Sequence, residues 1–485
     1  MSLRSCFFGR FFGRFFGGSF GCSLGRTCGY RLGAASLLLL LCVAGACARD
    51  GSGIVNGPSV ATSSGGRGGK GGDGSGGMSG AAGSIDDPGS GGGAGGSSGD
   101  DASTSVGADA AADAGDAAGK PDGPPPPDVP PARVVFQFTG VATWRGNAAG
   151  AYTIIHDRVC DSQYLGSINH AEPELTRRHL AGTFAVVTNF CESDKLWPHV
   201  TAMLDDGHEV MSEGATGACV GKTPAACGGA NVPRATDLAK EIEAPAALIT
   251  MRAGRPAPSY LFPYDACDAT ALGSVKPRFV GARCGRATVN ADNFADPYAF
   301  KYDPWGPDVS AYRTLAACAG VKAGTSPTLV AAACRMAVLN ASVDEAIAKK
   351  AWAVRGFRGF VGDLGLDEPV ALEDYQAHLD YVAAKVGAGT LWVAGPSAVI
   401  RYRFARTHCG TPTMAAGSNV LTLPAASADC SKDATTLSYV VTAMGSDPAA
   451  LTVAQAGAMT AARKLGPSTF VFDADPTKGN VTLMP

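Results

Sequence analysis

From residue 134 to about residue 406 the chain repeats one pattern, a short apolar run followed by a longer amphipathic stretch. The runs are RVVFQFTG, AYTIIHD, GTFAVVTNF, HEVMS, PSYLFPY, RFVGARC and TLWVAG, each with the length and the β-branched or aromatic content of a strand. Helical periodicity lies between several of them. The clearest case predicts a helix from Leu372 to Val386, where Leu372, Tyr375, Leu379, Val382 and Val386 recur at helical spacing and Gly387 closes it. Strands alternating with helices indicate parallel β/α units, so the fold class is α/β. Beyond Arg406 the pattern becomes NVLTLP, LSYVVTA, ALTVAQ, TFVFDAD and NVTLMP. These are brief strands with turn residues between them, and they predict a small β-rich domain over 407–485.

Nothing before residue 133 has that patterning. Residues 48–132 are mostly Gly, Ser, Ala and Asp and close in PDGPPPPDVPP, with too few apolar side chains to offset the entropy of ordering. A disordered tether with an r.m.s. reach of roughly 50 Å is expected there. Its GGRGGKGGDGSGG run follows no strand and precedes no helix, which sets aside a phosphate-loop reading. Residues 1–47 carry scattered arginines and then AASLLLLLCVAGA, an apolar run too short to span a bilayer and suited to an export signal. It ends in Ala44, Gly45, Ala46 and Cys47, similar to a bacterial lipoprotein cleavage box, and this makes Cys47 a candidate lipidation site. The alternative is a secretory signal with an incidental cysteine. The expected location is the cell envelope or surface, with membrane contact through the lipid anchor only.

The 40 basic and 43 acidic residues nearly balance, and the Lys and Arg residues form no stripe, so no nucleic-acid partner is expected. Ten cysteines follow the tether, an even number in a chain marked for export, and C-x-x-C pairs are missing. Disulfides are the better reading, with Cys219 and Cys227, Cys318 and Cys334, and Cys409 and Cys430 as plausible neighbours.

Four segments carry further chemistry: AYTIIHDRVCD from Ala151 to Asp161, MLDDGHEVMSEGATG from Met203 to Gly217, YLFPYDACDATALGSVK from Tyr260 to Lys276, and WAVRGFRG followed by AHLDYV between Trp352 and Val382. In order and spacing the chain resembles the polysaccharide deacetylase (NodB-like) family. The resemblance implies a distorted β/α barrel of fewer than eight strands over 133–406, with its site at the carboxyl ends of the strands. It also implies a small C-terminal all-β region as an appendage. The implied reaction is removal of acetyl groups from a glycan by hydrolysis of a non-peptide carbon–nitrogen bond, with zinc or another divalent metal as cofactor.

Matched position by position, Asp157 falls where the family has its base, and Arg158 falls on a metal ligand. A cation there would be repelled by the metal, which argues against the usual zinc site; Arg158 could instead act as a fixed positive charge for a bound carboxylate or sulfate. Glu213 and Gly217 fall on the two metal-binding histidines, so only Glu213 could still offer a side chain to a metal. His208 reads as structural. Pro263 and Tyr264 match the turn whose tyrosine N–H stabilises an oxyanion. The arginine that often precedes this pair and orients the base is absent, because Tyr260, Leu261 and Phe262 occupy the approach. Arg358 and Gly359 replace the step that carries a histidine acid, and His378 reads as a packed helix residue. Trp352 and Trp392 match aromatic positions and either stack on sugar or pack the barrel. Three readings follow: an enzyme acting on a carbohydrate, a glycan-binding pseudoenzyme, or a structural envelope protein.

Overall fold

The computed structural model describes residues 134–306, 314–322, 325, 329–363 and 369–485. The export segment, Cys47 and the tether lie outside the described residues.

Strand β1 (Val135–Val141) is followed by eight strands with helices between most of them: β2 (Gly150–Val159), β3 (Thr183–Val186), β4 (Glu209–Ser212), β5 (Ser259–Leu261), β6 (Gly281–Arg286), β7 (Phe300–Pro304), β8 (Trp352–Phe357) and β9 (Leu391–Val393). From β2 to β8 each strand pairs in parallel with the next, and β8 pairs back onto β2. The result is a closed seven-stranded parallel barrel. One edge of β2 holds β8. The other is shared, β9 taking Gly150 to Tyr152 and β3 taking Ile155 to Val159.

Period-two alternation sorts the side chains. Ala151, Ile155, Ala185, Met211, Leu261, Phe300, Tyr302, Trp352 and Val354 pack in the barrel interior. Tyr152, Ile154, Phe184, Val186, Val210, Tyr260 and Ala282 face outward. There they meet helices that include Ala332–Lys349 and Leu372–Gly387, the second of which coincides with the helix expected from periodicity.

The remaining strands are β10 (Thr413–Met414), β11 (Val420–Thr422), β12 (Leu437–Met444), β13 (Thr452–Gln455), β14 (Ala458–Ala461), β15 (Arg463–Lys464), β16 (Thr469–Ala474) and β17 (Val481–Met484). They form two antiparallel sheets, β1-β12-β16-β15 and β10-β11-β17-β13-β14, around one core that includes Phe136, Leu421, Tyr439, Val441, Phe470 and Val481. The run RVVFQFTG, expected within the barrel segment, therefore belongs elsewhere: β1 pairs antiparallel with β12 from Val135 to Val141. Its alternation buries Phe136 against β-sheet neighbours, and a strand with one wet face suits an antiparallel sheet better than a barrel wall. Strand β7 was not expected, because Lys301 and Asp303 interrupt its apolar pattern.

The ten cysteines of this region form five disulfides. Cys219–Cys227, Cys318–Cys334 and Cys409–Cys430 pair as expected, and Cys160–Cys191 and Cys267–Cys284 likewise join cysteines consecutive in the chain.

Candidate functional site

At the carboxyl ends of the barrel strands lies a cavity of about 330 Å³ lined by residues that include Asp157, Arg158, Glu213, Tyr264, Arg283 and Arg358. Below it the barrel interior is packed largely with apolar side chains, and inward positions toward the strand ends reach the cavity. On β2 this position is Asp157, three inward steps above Ala151.

Asp157 is buried, and Arg283 Nη1 donates to its Oδ1 at 2.7 Å. Arg283 is the inward residue near the end of β6, and its guanidinium lies 3.8 Å from the centre of the Tyr302 ring on β7. Gly356 on β8 makes room for that ring, since a Cβ there would sit 2.8 Å from Tyr302 Cδ2. A charge taken this far out of water persists only with a partner, and each of the two supplies the other's. Sequence matching missed Arg283, because the orienting arginine was sought before Pro263. The available signal was Arg283 itself, a cation between Ala282 and Cys284 near the end of the run RFVGARC.

Beyond Asp157 the strand bends. The parallel register with β3 slips between His156 and Val159, and Arg158 and Cys160 adopt left-handed backbone angles with φ of 57° and 78°. Such conformations are strained for residues with a Cβ and persist because their surroundings fix them. The Arg158 N–H donates to Glu213 Oε2 at 2.7 Å, and Cys160 is tied to Cys191. The Arg158 side chain turns aside: its Nη2 donates to Asp161 Oδ2 at 2.8 Å, and its guanidinium lies over Tyr164 and Phe190.

Glu213 follows β4 and is also buried. Burial, then the negative charge of Asp157, push its carboxyl up to about 7, against the opposing pull of the Arg158 N–H. Pro263 is buried in the turn after β5. Tyr264, in the same turn, has φ of 60° and is 50% exposed at the cavity mouth. Gly217, Asp265, Arg286, Tyr302 and Arg358 complete much of the lining.

The structure thus brings together Asp157, Arg158, Glu213, Pro263 and Tyr264, and separates the two tryptophans from them. Trp352 and Trp392 both pair with Ala151 at the opposite end of the barrel, about 20 Å along the strand from Asp157 at 3.3 Å per residue. Trp352 is fully buried, its Nε1 donating to Thr153 Oγ1 at 3.0 Å, and Trp392 packs against Tyr402. A stacking role on sugar in this cavity is corrected to barrel packing for both. His208 is held by Thr176 and by the Gly182 N–H. His378 is buried between Tyr152 and Asn340.

A divalent metal needs several converging anionic or neutral donors. Here Asp157 is committed to Arg283, a cation follows it, Gly217 offers no side-chain donor, and Glu213 already accepts from a backbone N–H. Among the described residues no group of three His, Cys, Asp or Glu side chains converges to hold a metal. These residues do not fit the zinc set that the family resemblance implied.

No protein-family model and no curated protein matches the chain. Among solved structures it is similar to a protein from Mycobacterium smegmatis assigned to the polysaccharide deacetylases, at 15% identity and a TM-score of 0.39, over 57% of this chain and 99% of that one. A second such protein, from Pseudomonas aeruginosa PAO1, shows 13% identity and a TM-score of 0.38 over 55% of this chain and 95% of that one. The Puue allantoinase shows 13% and 0.36 over 55% and 94%. At these values the likeness carries neither activity nor residue roles to this chain, and the parallel barrel rests on its own strand pairing.

Proposed function

We propose that this protein is a carbohydrate-facing barrel of the deacetylase type, exported to the cell envelope, whose cavity binds a glycan without the family's metal chemistry. The observation that carries the reading is the buried Asp157–Arg283 pair at the end of the barrel. It keeps a carboxylate fixed and charged in a polar cavity, yet commits it away from a metal. The five disulfides support an oxidising compartment, consistent with lipidation at Cys47 as an anchor.

A second reading, metal-independent removal of acetyl groups, is favoured by Glu213. Its carboxyl near 7 beside Asp157 is suited to proton transfer at neutral pH, and the Tyr264 turn stands at the same cavity. The third, a structural envelope protein, needs no ligand in the cavity.

The test is acetate release from acetylated chito-oligosaccharides and acetylated xylan by the full chain, with zinc, with chelator and with Asp157→Asn, alongside glycan binding by calorimetry. Binding without release supports the glycan-binding reading. Release that Asp157→Asn abolishes moves the assignment to hydrolysis, and the chelator arm reports whether metal takes part. Folded protein that neither binds nor releases acetate moves it to the structural reading. Loss of membrane association in Cys47→Ala, followed by fractionation, tests the anchor.

A further inference from the structure

The charges around the cavity do not cancel at its mouth. Four arginines line it, Arg158, Arg283, Arg286 and Arg358, against the carboxyls of Asp157, Glu213 and Asp265. Two of the arginines are ion-paired within the fold: Arg283 with Asp157, and Arg158 with Asp161, which lies behind the lining. Arg286 reaches Asp265 only at 3.5 Å, with its side chain 63% exposed. Arg358 is exposed and has no ion pair among the described residues. The carboxyls of Asp157 and Glu213 are buried, 6% exposed each, so the charged side chains that reach the mouth are chiefly the two exposed arginines. The mouth therefore carries excess positive charge on a chain whose formal net charge is -3.

Beside these cations stands a large aromatic face. Tyr264 presents its half-exposed ring at the same mouth, where Trp352 and Trp392 do not reach. A guanidinium fork matches a planar carboxylate, and an aromatic ring matches the apolar face of a pyranose.

We infer that the cavity takes an acidic glycan, with a hexuronate carboxylate seated against Arg358 and Arg286 and a sugar face on Tyr264. The inference rests on the proposed carbohydrate reading and names the substrate class of that same site. Arg158, whose side chain is drawn away by Asp161, Tyr164 and Phe190, is not the main anion contact.

The test is calorimetric titration of the full chain at pH 7 and low salt with oligomers of galacturonate, mannuronate and guluronate, and with their carboxyl-reduced neutral counterparts. At least one acidic oligomer is expected to bind about tenfold or more tighter than its neutral counterpart, with an affinity that falls as NaCl rises. Arg358→Ala and Arg286→Ala, both at exposed positions, are expected to remove most of that preference. Arg358→Lys is expected to restore part of it. Equal affinity for acidic and neutral oligomers overturns the inference and leaves the glycan reading standing, as does a preference that neither arginine variant alters. Failure of every oligomer to bind folded protein overturns the inference, and the glycan reading falls with it only if chito-oligosaccharides and xylan also fail to bind.

Discussion

Arg283 Nη1 lies 2.7 Å from Asp157 Oδ1, and the two side chains, 4% and 9% exposed, come from strands β6 and β2 of the same barrel. The pair does two jobs. It satisfies a carboxylate at the floor of the cavity, and it stacks the guanidinium on Tyr302, so that a third strand helps hold the geometry.

Removing one member leaves the other buried and unpaired. Arg283→Ala is expected to destabilise the fold by about 3 kcal/mol or more. The double variant Asp157→Asn with Arg283→Met, which removes both charges, should recover a substantial part of the loss. Urea unfolding of the three proteins checks this, and a double variant as unstable as the single one would mean that the charge left behind is not the main cost.

Gly356 and Gly273 make a matched pair for testing space. A Cβ at Gly356 meets Tyr302 ring atoms at 2.8 and 3.1 Å, whereas at Gly273, in the helix Ala269–Val275, it meets nothing within 4 Å. Gly356→Ala should therefore cost about 1–3 kcal/mol through overpacking and weaken ligand binding by displacing Tyr302. Gly273→Ala should stabilise by about 0.5–1 kcal/mol, since a helical glycine gives way to a better helix former. Thermal melts measured side by side decide both signs.

Much of this architecture was legible because its signals are local. The alternation in AYTIIHD places Asp157 on the same strand face as Ala151 and Ile155, and the helix Leu372–Gly387 announces itself by spacing. Glu213, Pro263 and Tyr264 were located by motif order. What stayed hidden depends on which strands become neighbours. Arg283 is far from Asp157 in sequence, and only closure of the barrel brings β6 opposite β2. Trp352 and Trp392 lie near motif segments, but strand register sends them to the other end. RVVFQFTG has the composition of any strand, and its pairing with β12 is written in neither segment alone.

Two buried histidines set an acid limit on stability. His156 is stacked among Phe184, Phe357 and Phe360, with its Nε2 2.9 Å from the Tyr375 hydroxyl. Burial, with a smaller contribution from His208, lowers it to about 3. His378 is lowered to about 3 by burial and then by the charge of Arg355. Unfolded, each binds a proton below about 6.5. Between 6.5 and 3 the unfolded state thus holds more protons, so stability rises with pH across that window and is lost as acid is added. His378→Gln, which keeps hydrogen-bonding capacity, is expected to flatten the slope between pH 6.5 and 4 relative to the unaltered protein. Unfolding free energies measured across that range check it, and parallel slopes would count against a neutral buried His378.

Glu213 works in the opposite direction. Its folded-state carboxyl lies near 7 instead of near 4.5, first because it is buried and then because Asp157 is close. Between those two values the folded state holds the extra proton, so this group's contribution to stability is full below about 4.5 and is lost as pH rises through 7. At pH 8 the chain must hold two negative carboxylates in one cavity, with the Arg158 N–H and the Arg283 charge as partial compensation. Glu213→Gln keeps an oxygen to accept the Arg158 N–H and removes the charge. It should be more stable than the unaltered protein at pH 8, by on the order of 1–3 kcal/mol, and nearly equal to it at pH 5. A carbon NMR titration of the labelled side chain should place the midpoint near 7. A midpoint near the ordinary glutamate value would show that Glu213 is ionised throughout, and would remove it as a proton donor at neutral pH.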